Sequence, residues 1–254
     1  MKSLPHSVAR TLFIQARREI VFRFFTDPKR WARWWGVGST IDARTGGSMK
    51  IRYPNGVEAM GEVVEVVSPE RIVFTYGYEN GKPIPVGGSR VTIRLQAEDR
   101  GTRLSLVHDF SEAAVRDDFV QGWRFQLTLF ANIVSEEINA DAMSFVDRWF
   151  AAWSVPDDLV RERTLGEIAS PNVRFRDRYS SIEGIAELVP HIAAAQRFMP
   201  SFTLQRVGDI RQCQGMVLSQ WAATGTAGQK QMEGTNVFVF DADGRIESVT
   251  GFHV

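Results

Sequence analysis

Across residues 71–134 the spacing of apolar residues changes from every second position to a helical period, and that change limits what this part of the chain can fold into. In "RIVFTYGY" the side chains of Ile72, Phe74, Tyr76 and Tyr78 share one face. "RVTIRL" places Val91, Ile93 and Leu95 inward, and "TRLSLVHDF" does the same for Leu104, Leu106 and His108. Such alternation belongs to strands with one buried face. From Glu112 the period becomes helical, and Phe119, Trp123, Leu127, Phe130 and Val134 form one stripe. A meander of antiparallel strands followed by a single amphipathic helix predicts that the helix covers the sheet. Upstream, residues 11–15 read as a short strand and "REIVFRFFTDP" as a helix that Pro28 ends. Met49, Ile51 and Tyr53 share a strand face, and "PNG" at 54–56 is a hairpin signal.

The polar "SEEINAD" at 135–141 marks a boundary, which predicts domains over 1–138 and 139–254. A fresh helix then puts Met143, Val146, Trp149, Phe150 and Trp153 on one side. A further helix after "SVPDD" has aspartates suited to its N-terminus. Next come the strand "NVRFRDRY" at 172–179, a helix over about 184–199 that Pro190 should kink, and four strands turning at "QCQG", "TAGQ" and "DADG". The expected fold class is therefore α+β in both halves, with two different units and no internal repeat.

Read as a strand, "NVRFRDRY" sends three arginines to one face and Val173, Phe175, Asp177 and Tyr179 to the other. An ionised carboxylate does not rest on an apolar face without a reason. Two answers stay open. Asp177 lines an apolar pocket as a general base, strengthened by its surroundings, or it is paired with an inward arginine, Arg161 or Arg163, and anchors the strand.

The composition narrows the function classes. Thirty basic and thirty acidic side chains cancel, so nothing points to nucleic acid or an anionic membrane. No apolar run approaches the roughly 20 residues of a membrane span. The opening "MKSLPHSVARTLFIQARREIV" lacks a long apolar core, and a cytoplasmic protein is the expectation. Cys213, the single cysteine, excludes an internal disulfide and is expected to be a small core residue. No phosphate loop, nucleophile elbow, zinc motif or dinucleotide fingerprint is present, so neither cofactor nor metal is expected.

"TDPKRWARWWG", "RTGGSMKIRYPNG", "GEVVEVVSPERIVFTY", "GTRLSLVHDF" and "GWRFQLTLFANIV" resemble, in that order, the Hsp-ninety ATPase activator homologues of the SRPBCC (START-like) superfamily. The resemblance implies a helix-grip fold, a curved antiparallel sheet around a long C-terminal helix, with a cavity for an apolar small molecule. Trp34, Trp35, Tyr76 and Trp123 are candidate cavity walls, and His108 is placed near the mouth. Residues 140–254 resemble the SnoaL-like branch of the nuclear-transport-factor-two-like folds through Trp153, "VRFRD", "EGIAEL", "PSFTL", "SQWAATGT", "EGTNVFVFDADGRI" and "GFH". That implies a cone of helices and curved sheet, in a superfamily with polyketide cyclases, isomerases and dehydratases, whose members commonly form homodimers through the sheet. In isomerase-like relatives an aspartate in the register of Asp177 is the general base. Trp149 and Asn236 stand where those relatives carry the oxyanion-donating tyrosine and its acidic partner, and both can donate a hydrogen bond. Tyr179, Trp221 and Phe238 are further candidate pocket residues. Three functions follow: a proton-transfer enzyme acting on an apolar, carbonyl-containing molecule, a non-catalytic binding or sensing protein, and a co-chaperone of a heat-shock ATPase.

Overall fold

The structure is a computed structural model that describes residues 3–200, 202–225 and 230–253. The chain divides into two compact units, Met1–Ser135 and Glu136–Val254.

The first unit contains β1 (His6–Ile14), α1 (Arg18–Thr26), α2 (Pro28–Trp35), β2 (Thr40–Ile41), β3 (Ser48–Arg52), β4 (Glu58–Val67), β5 (Arg71–Tyr78), β6 (Ser89–Glu98) and β7 (Gly101–Phe110). Helix α3 (Ala113–Ile138) follows and runs past the division between the units. The strands form one sheet in the order β1-β7-β6-β5-β4-β3-β2, every neighbour antiparallel. Its register brings the alternating apolar residues opposite one another: Ile72 faces Ile93, Phe74 faces Val91, and Leu95 faces Leu104. Trp123, Leu127, Phe130 and Val134 of α3 are buried as the stripe predicts. Phe130 also packs on Phe24 and Phe25 of α1, with ring centroids 5.8 and 4.9 Å away.

Two local expectations change. β1 is longer than residues 11–15, because it pairs with β7 from His6 to Ile14 while leaving most of its side chains partly wet. Pro28 ends one helix and opens another. Asp27 between them accepts hydrogen bonds from the Lys29 and Arg30 amides at 2.8 and 2.9 Å, and proline suits the first helical turn.

The second unit holds α4 (Ala142–Ala152), α5 (Asp158–Ile168), β8 (Ala169–Arg176), β9 (Ser181–Glu183), α6 (Ile185–Phe198), β10 (Thr203–Cys213), β11 (Met216–Thr224), β12 (Lys230–Phe240) and β13 (Ile246–His253). The sheet order is β10-β11-β12-β13-β8-β9, with the β13–β8 pair parallel and the other pairs antiparallel. Its core joins Val146, Trp149 and Phe150 of α4, Leu165 of α5, Leu188 and Ile192 of α6, and inward residues of the sheet. The expected turn at "TAGQ" lies outside the described residues.

Here the structure corrects three details. Met143 is largely exposed rather than on the core side of its helix. Cys213 is exposed at the end of β10, the edge strand of this sheet among the described residues. The helix expected over about 184–199 is α6, which runs through Pro190 with Ile185 and Leu188 buried before the proline and Ile192 after it. The strand "NVRFRDRY" stops at Arg176. Asp177 begins a turn, its amide donating to Ser180 O at 3.0 Å and its carboxylate accepting from the Tyr179 amide at 2.8 Å.

Candidate functional site

In the first unit a cavity of about 800 Å³ opens between the sheet, α2 and α3. Helical spacing explains how α2 serves both core and cavity. Trp31, Trp34 and Trp35 recur at i, i+3 and i+4, so they stack on one side of a two-turn helix with ring centroids 4.3–5.8 Å apart. Trp34 and Trp35 line the cavity with Tyr53, Tyr76, Tyr78 and Trp123. Arg33, Lys82 and Asp118 supply its charged groups. The Tyr53 and Tyr76 hydroxyls lie 2.9 Å apart, and burial pushes both phenols far above the usual tyrosine range. Both therefore stay neutral donors. Trp35 is 5% exposed, and its indole N–H is buried without a hydrogen-bond partner.

His108 is fully buried behind this wall, its ring 5.3 Å from Tyr76 and 5.8 Å from Trp123. Its Nδ1 takes a hydrogen bond from Trp123 Nε1 at 3.0 Å, and its Nε2 lies 2.8 Å from Ser89 Oγ, which donates to Tyr76 O. An indole only donates, so Nδ1 must accept and the proton must sit on Nε2.

The second unit assembles its polar cluster through strand register. Trp221 of β11 stands opposite Gly234 of β12, which stands opposite His253 of β13. Two residues along the same face, Ser219, Asn236 and Gly251 make the next rung. The glycines make room. A Cβ on Gly234 would lie 2.6 Å from the Trp221 ring and 2.2 Å from Phe252 O, and one on Gly251 would lie 3.1 Å from Asn236 Oδ1 and 3.4 Å from Asp177 Cβ. Trp221 Nε1 donates to Asn236 Oδ1 at 2.9 Å. His253 Nε2 lies 3.3 Å from Asp177 Oδ2, with the Asp177 side chain 12% exposed. The result is one row of Asp177, His253, Trp221 and Asn236 at the end of an apolar core.

Two family models match, one to each unit: the activator of Hsp90 ATPase homolog 1-like protein over residues 15–135, and the SnoaL-like domain over residues 146–249. The chain is an AHSA1-like domain joined to a SnoaL-like domain. Among solved structures it is similar to a SnoaL-like family protein from Agrobacterium tumefaciens (24% identity, 44% of this chain and 96% of that one, TM-score 0.43). It is also similar to CalU16 from Micromonospora echinospora (29% identity, 52% and 78%, TM-score 0.43) and to the Aha1 dimer from Colwellia psychrerythraea (15% identity, 48% and 90%, TM-score 0.42). No curated protein matches the chain. Domains of these two families typically bind small molecules and include isomerase- and cyclase-like members. Among the described residues no helix is long and apolar enough to cross a membrane, and no group of three or more His, Cys, Asp or Glu is placed to hold a metal ion.

Against this geometry, the residues singled out in the sequence separate into groups. In the AHSA1-like unit Trp34, Trp35, Tyr76 and Trp123 line one cavity, whereas His108 sits in a closed hydrogen-bond chain rather than at its mouth. In the SnoaL-like unit Asp177, Trp221 and Asn236 come together. Trp149 and Phe238 lie deeper, 6.1 Å apart by ring centroids, and the buried Trp149 N–H has no partner. Tyr179 is 75% exposed, stacked edge-on against His253 at 5.5 Å. The arginines considered as partners of Asp177 are elsewhere: Arg163 is exposed, and Arg161 is fully buried among acceptors from α4, α5 and α6. Two residues of these clusters, Tyr53 and His253, are not among the candidate site residues. Tyr53 was legible through its alternation with Met49 and Ile51, and His253 through its period-two spacing from Val249 and Gly251.

Burial holds the His108 pKa down at about 3. A histidine whose folded pKa lies below its unfolded value of about 6.5 favours folding fully above that value and loses its contribution as pH falls toward the folded one. Lowering the pH from 7 to 5 should therefore cost about 2 kcal/mol through this residue alone. Urea unfolding at the two pH values checks this. His108→Gln should flatten the dependence, and an unchanged slope in that variant would assign the acid sensitivity to other groups.

Proposed function

We propose that the AHSA1-like unit binds an apolar, carbonyl-containing small molecule in its 800 Å³ cavity. The observation that carries this reading is a volume of ligand size walled by tryptophan and tyrosine side chains. Native mass spectrometry of the freshly purified protein tests it. A bound small molecule that is lost on denaturation is expected, and failure of both the purified protein and a panel of aryl and alkyl ketones to show any complex would remove the reading.

A second reading concerns the SnoaL-like unit, in which Asp177 moves a proton while Asn236 and Trp149 steady developing negative charge. It is favoured by a nearly buried carboxylate that meets His253 at 3.3 Å, next to the Trp221–Asn236 pair. An aspartate–imidazole pair can take a proton from carbon and pass it on without leaving a lone charge in an apolar site. The matching test follows deuterium exchange beside the carbonyl of 2-tetralone by NMR. Catalysed exchange should fall by about 10²- to 10⁴-fold in Asp177→Asn, the usual share of a general base. That variant keeps the oxygen that accepts from the Tyr179 amide, so its stability should change by less than about 1 kcal/mol. Exchange at the uncatalysed rate in the wild type would leave the SnoaL-like unit a non-catalytic binding module.

A further inference from the structure

Helix α3 forms one wall of the AHSA1-like cavity, and at the centre of that wall, at Gly122, the chain carries no side chain. We propose that Gly122 is the specificity-determining residue of the cavity: its bare backbone leaves the width that a flat, multi-ring molecule needs and a single alkyl chain does not. The inference rests on the reading of this cavity as a binding site and names the residue that sets its selectivity.

Among the described residues two glycines stand inside helices, Gly122 in α3 and Gly166 in α5. Glycine is a poor helix former, so each weakens its helix unless something else requires it. Backbone freedom does not, since neither takes a positive φ. Close packing does not either. A Cβ on Gly234 would lie 2.2 Å from Phe252 O, whereas one on Gly122 or Gly166 would meet nothing within 4 Å. Gly122 differs from Gly166 in what borders that open space. Asp118 and Phe119 before it, and Phe125 and Gln126 after it, all line the cavity. Residues three and four positions apart share one face of a helix, so position 122 is the middle of the cavity-facing side. A side chain there would project into the cavity.

The wall is anchored where the glycine stands. Trp123, next in sequence, donates from its indole to His108 Nδ1 at 3.0 Å, and Gln126, one turn on, donates to Trp34 O. Further along, Phe130 packs its ring 4.9 Å from that of Phe25. A larger residue at position 122 therefore takes up cavity volume and does not push the helix outward, because packed elements of this kind yield little. The side chains of Trp34, Trp35 and Trp123 border the same space. Aromatic side chains favour ring systems, through stacked or edge-on contacts, over a flexible chain. A broad molecule among them uses the width beside Gly122. An alkyl chain is slender enough to pass a side chain placed there.

Two uncharged probes of different breadth test the proposal: Nile red, a flat multi-ring dye followed by its fluorescence, and 1-octanol, followed by titration calorimetry. Gly122→Leu should weaken Nile red by about 10- to 100-fold, the usual penalty for forcing extra volume into an occupied space. It should weaken octanol by less than about threefold. Its melting temperature should hold or rise, because the substitution removes a poor helix former. Gly166→Ala is the control. It improves a helix in the same way and should leave both affinities within about twofold of wild type. Full affinity for Nile red in Gly122→Leu, or an equal loss of both probes, overturns the proposal and leaves the cavity reading standing. So does a wild type that takes octanol and not Nile red. A wild type that takes only Nile red already shows the selectivity, and its loss in Gly122→Leu assigns that selectivity to this residue. Binding of neither probe to the wild type overturns both readings. If near-ultraviolet circular dichroism shows that Gly122→Leu does not fold, Gly122→Ala decides. It should still weaken Nile red by about threefold or more, and an undiminished affinity overturns the proposal.

Discussion

Arg161→Ala is expected to destabilise the SnoaL-like unit by about 3–5 kcal/mol, although Arg161 stands outside the polar row that begins at Asp177. Its side chain is completely buried. The guanidinium donates to Ala152 O at 3.3 Å, Val189 O at 3.2 Å, Gln196 Oε1 at 2.9 Å and Val155 O, and it pairs with Asp158. These acceptors come from the ends of α4 and the following loop, from α5 and from α6, so one planar fork ties three helices together. Asp158 is well exposed and can be solvated when its partner goes. The Ala152 and Val189 carbonyls cannot be so easily rehydrated, and each unsatisfied buried acceptor costs about 1–3 kcal/mol. Val155 O keeps a bond from Gln196 Nε2 at 2.9 Å, which limits the total. Arg161→Lys should recover only part of the loss, because an ammonium cannot span the same acceptors. Urea unfolding followed by far-ultraviolet circular dichroism gives the number. A loss under about 1 kcal/mol for the alanine variant would mean that water enters this site and the helices do not depend on it.

Trp123→Ala should cost the AHSA1-like unit about 3–5 kcal/mol, the usual range for removing a large buried aromatic. Trp123 is 4% exposed and packs its ring 5.8 Å from those of both Trp35 and His108. Two terms add. The lost ring opens space beside the cavity, and His108 Nδ1 loses the donor that satisfies it. Because Trp123 already borders a cavity that ligand or solvent can enter, the packing term belongs at the low end of its range, and the orphaned acceptor raises the sum. Trp123→Phe separates them by keeping an aromatic ring and deleting the N–H. It should cost about 1–2 kcal/mol, and equal losses in the two variants would show that the hydrogen bond, not packing, dominates.

Both chain halves were legible as α+β units because burial on one face imposes a period that survives in the sequence. Apart from Tyr78 and Phe119, which are only partly buried, the inward residues of β5, β6 and β7 and the stripe of α3 are buried where the periods of two and 3.6 place them. Misjudged details share a cause. Alternation says which face a residue takes, but not where the strand stops or whether another strand lies outside it. Cys213 reads as apolar and is exposed on an edge, and Asp177 reads as mid-strand and begins a turn.

Face and period were thus fixed locally by the order of residues along the chain, and so were the two family resemblances carried by ordered motifs. Partners were not. Asp177 and His253 are separated by 76 positions and meet only because β8 and β13 pair in parallel and Gly251 lacks a side chain. Tyr53 and Tyr76 meet although one lies in the β3–β4 connection and the other in β5. Arg161 is buried, and its acceptors come from three helices whose packing no local pattern encodes. Hydrogen bonding needs distances good to a few tenths of an ångström, and such distances are set by register and packing between elements far apart in sequence. Periodicity therefore determined the layers, and tertiary structure alone decided which polar groups found partners and which, like the Trp35 indole, were buried without one.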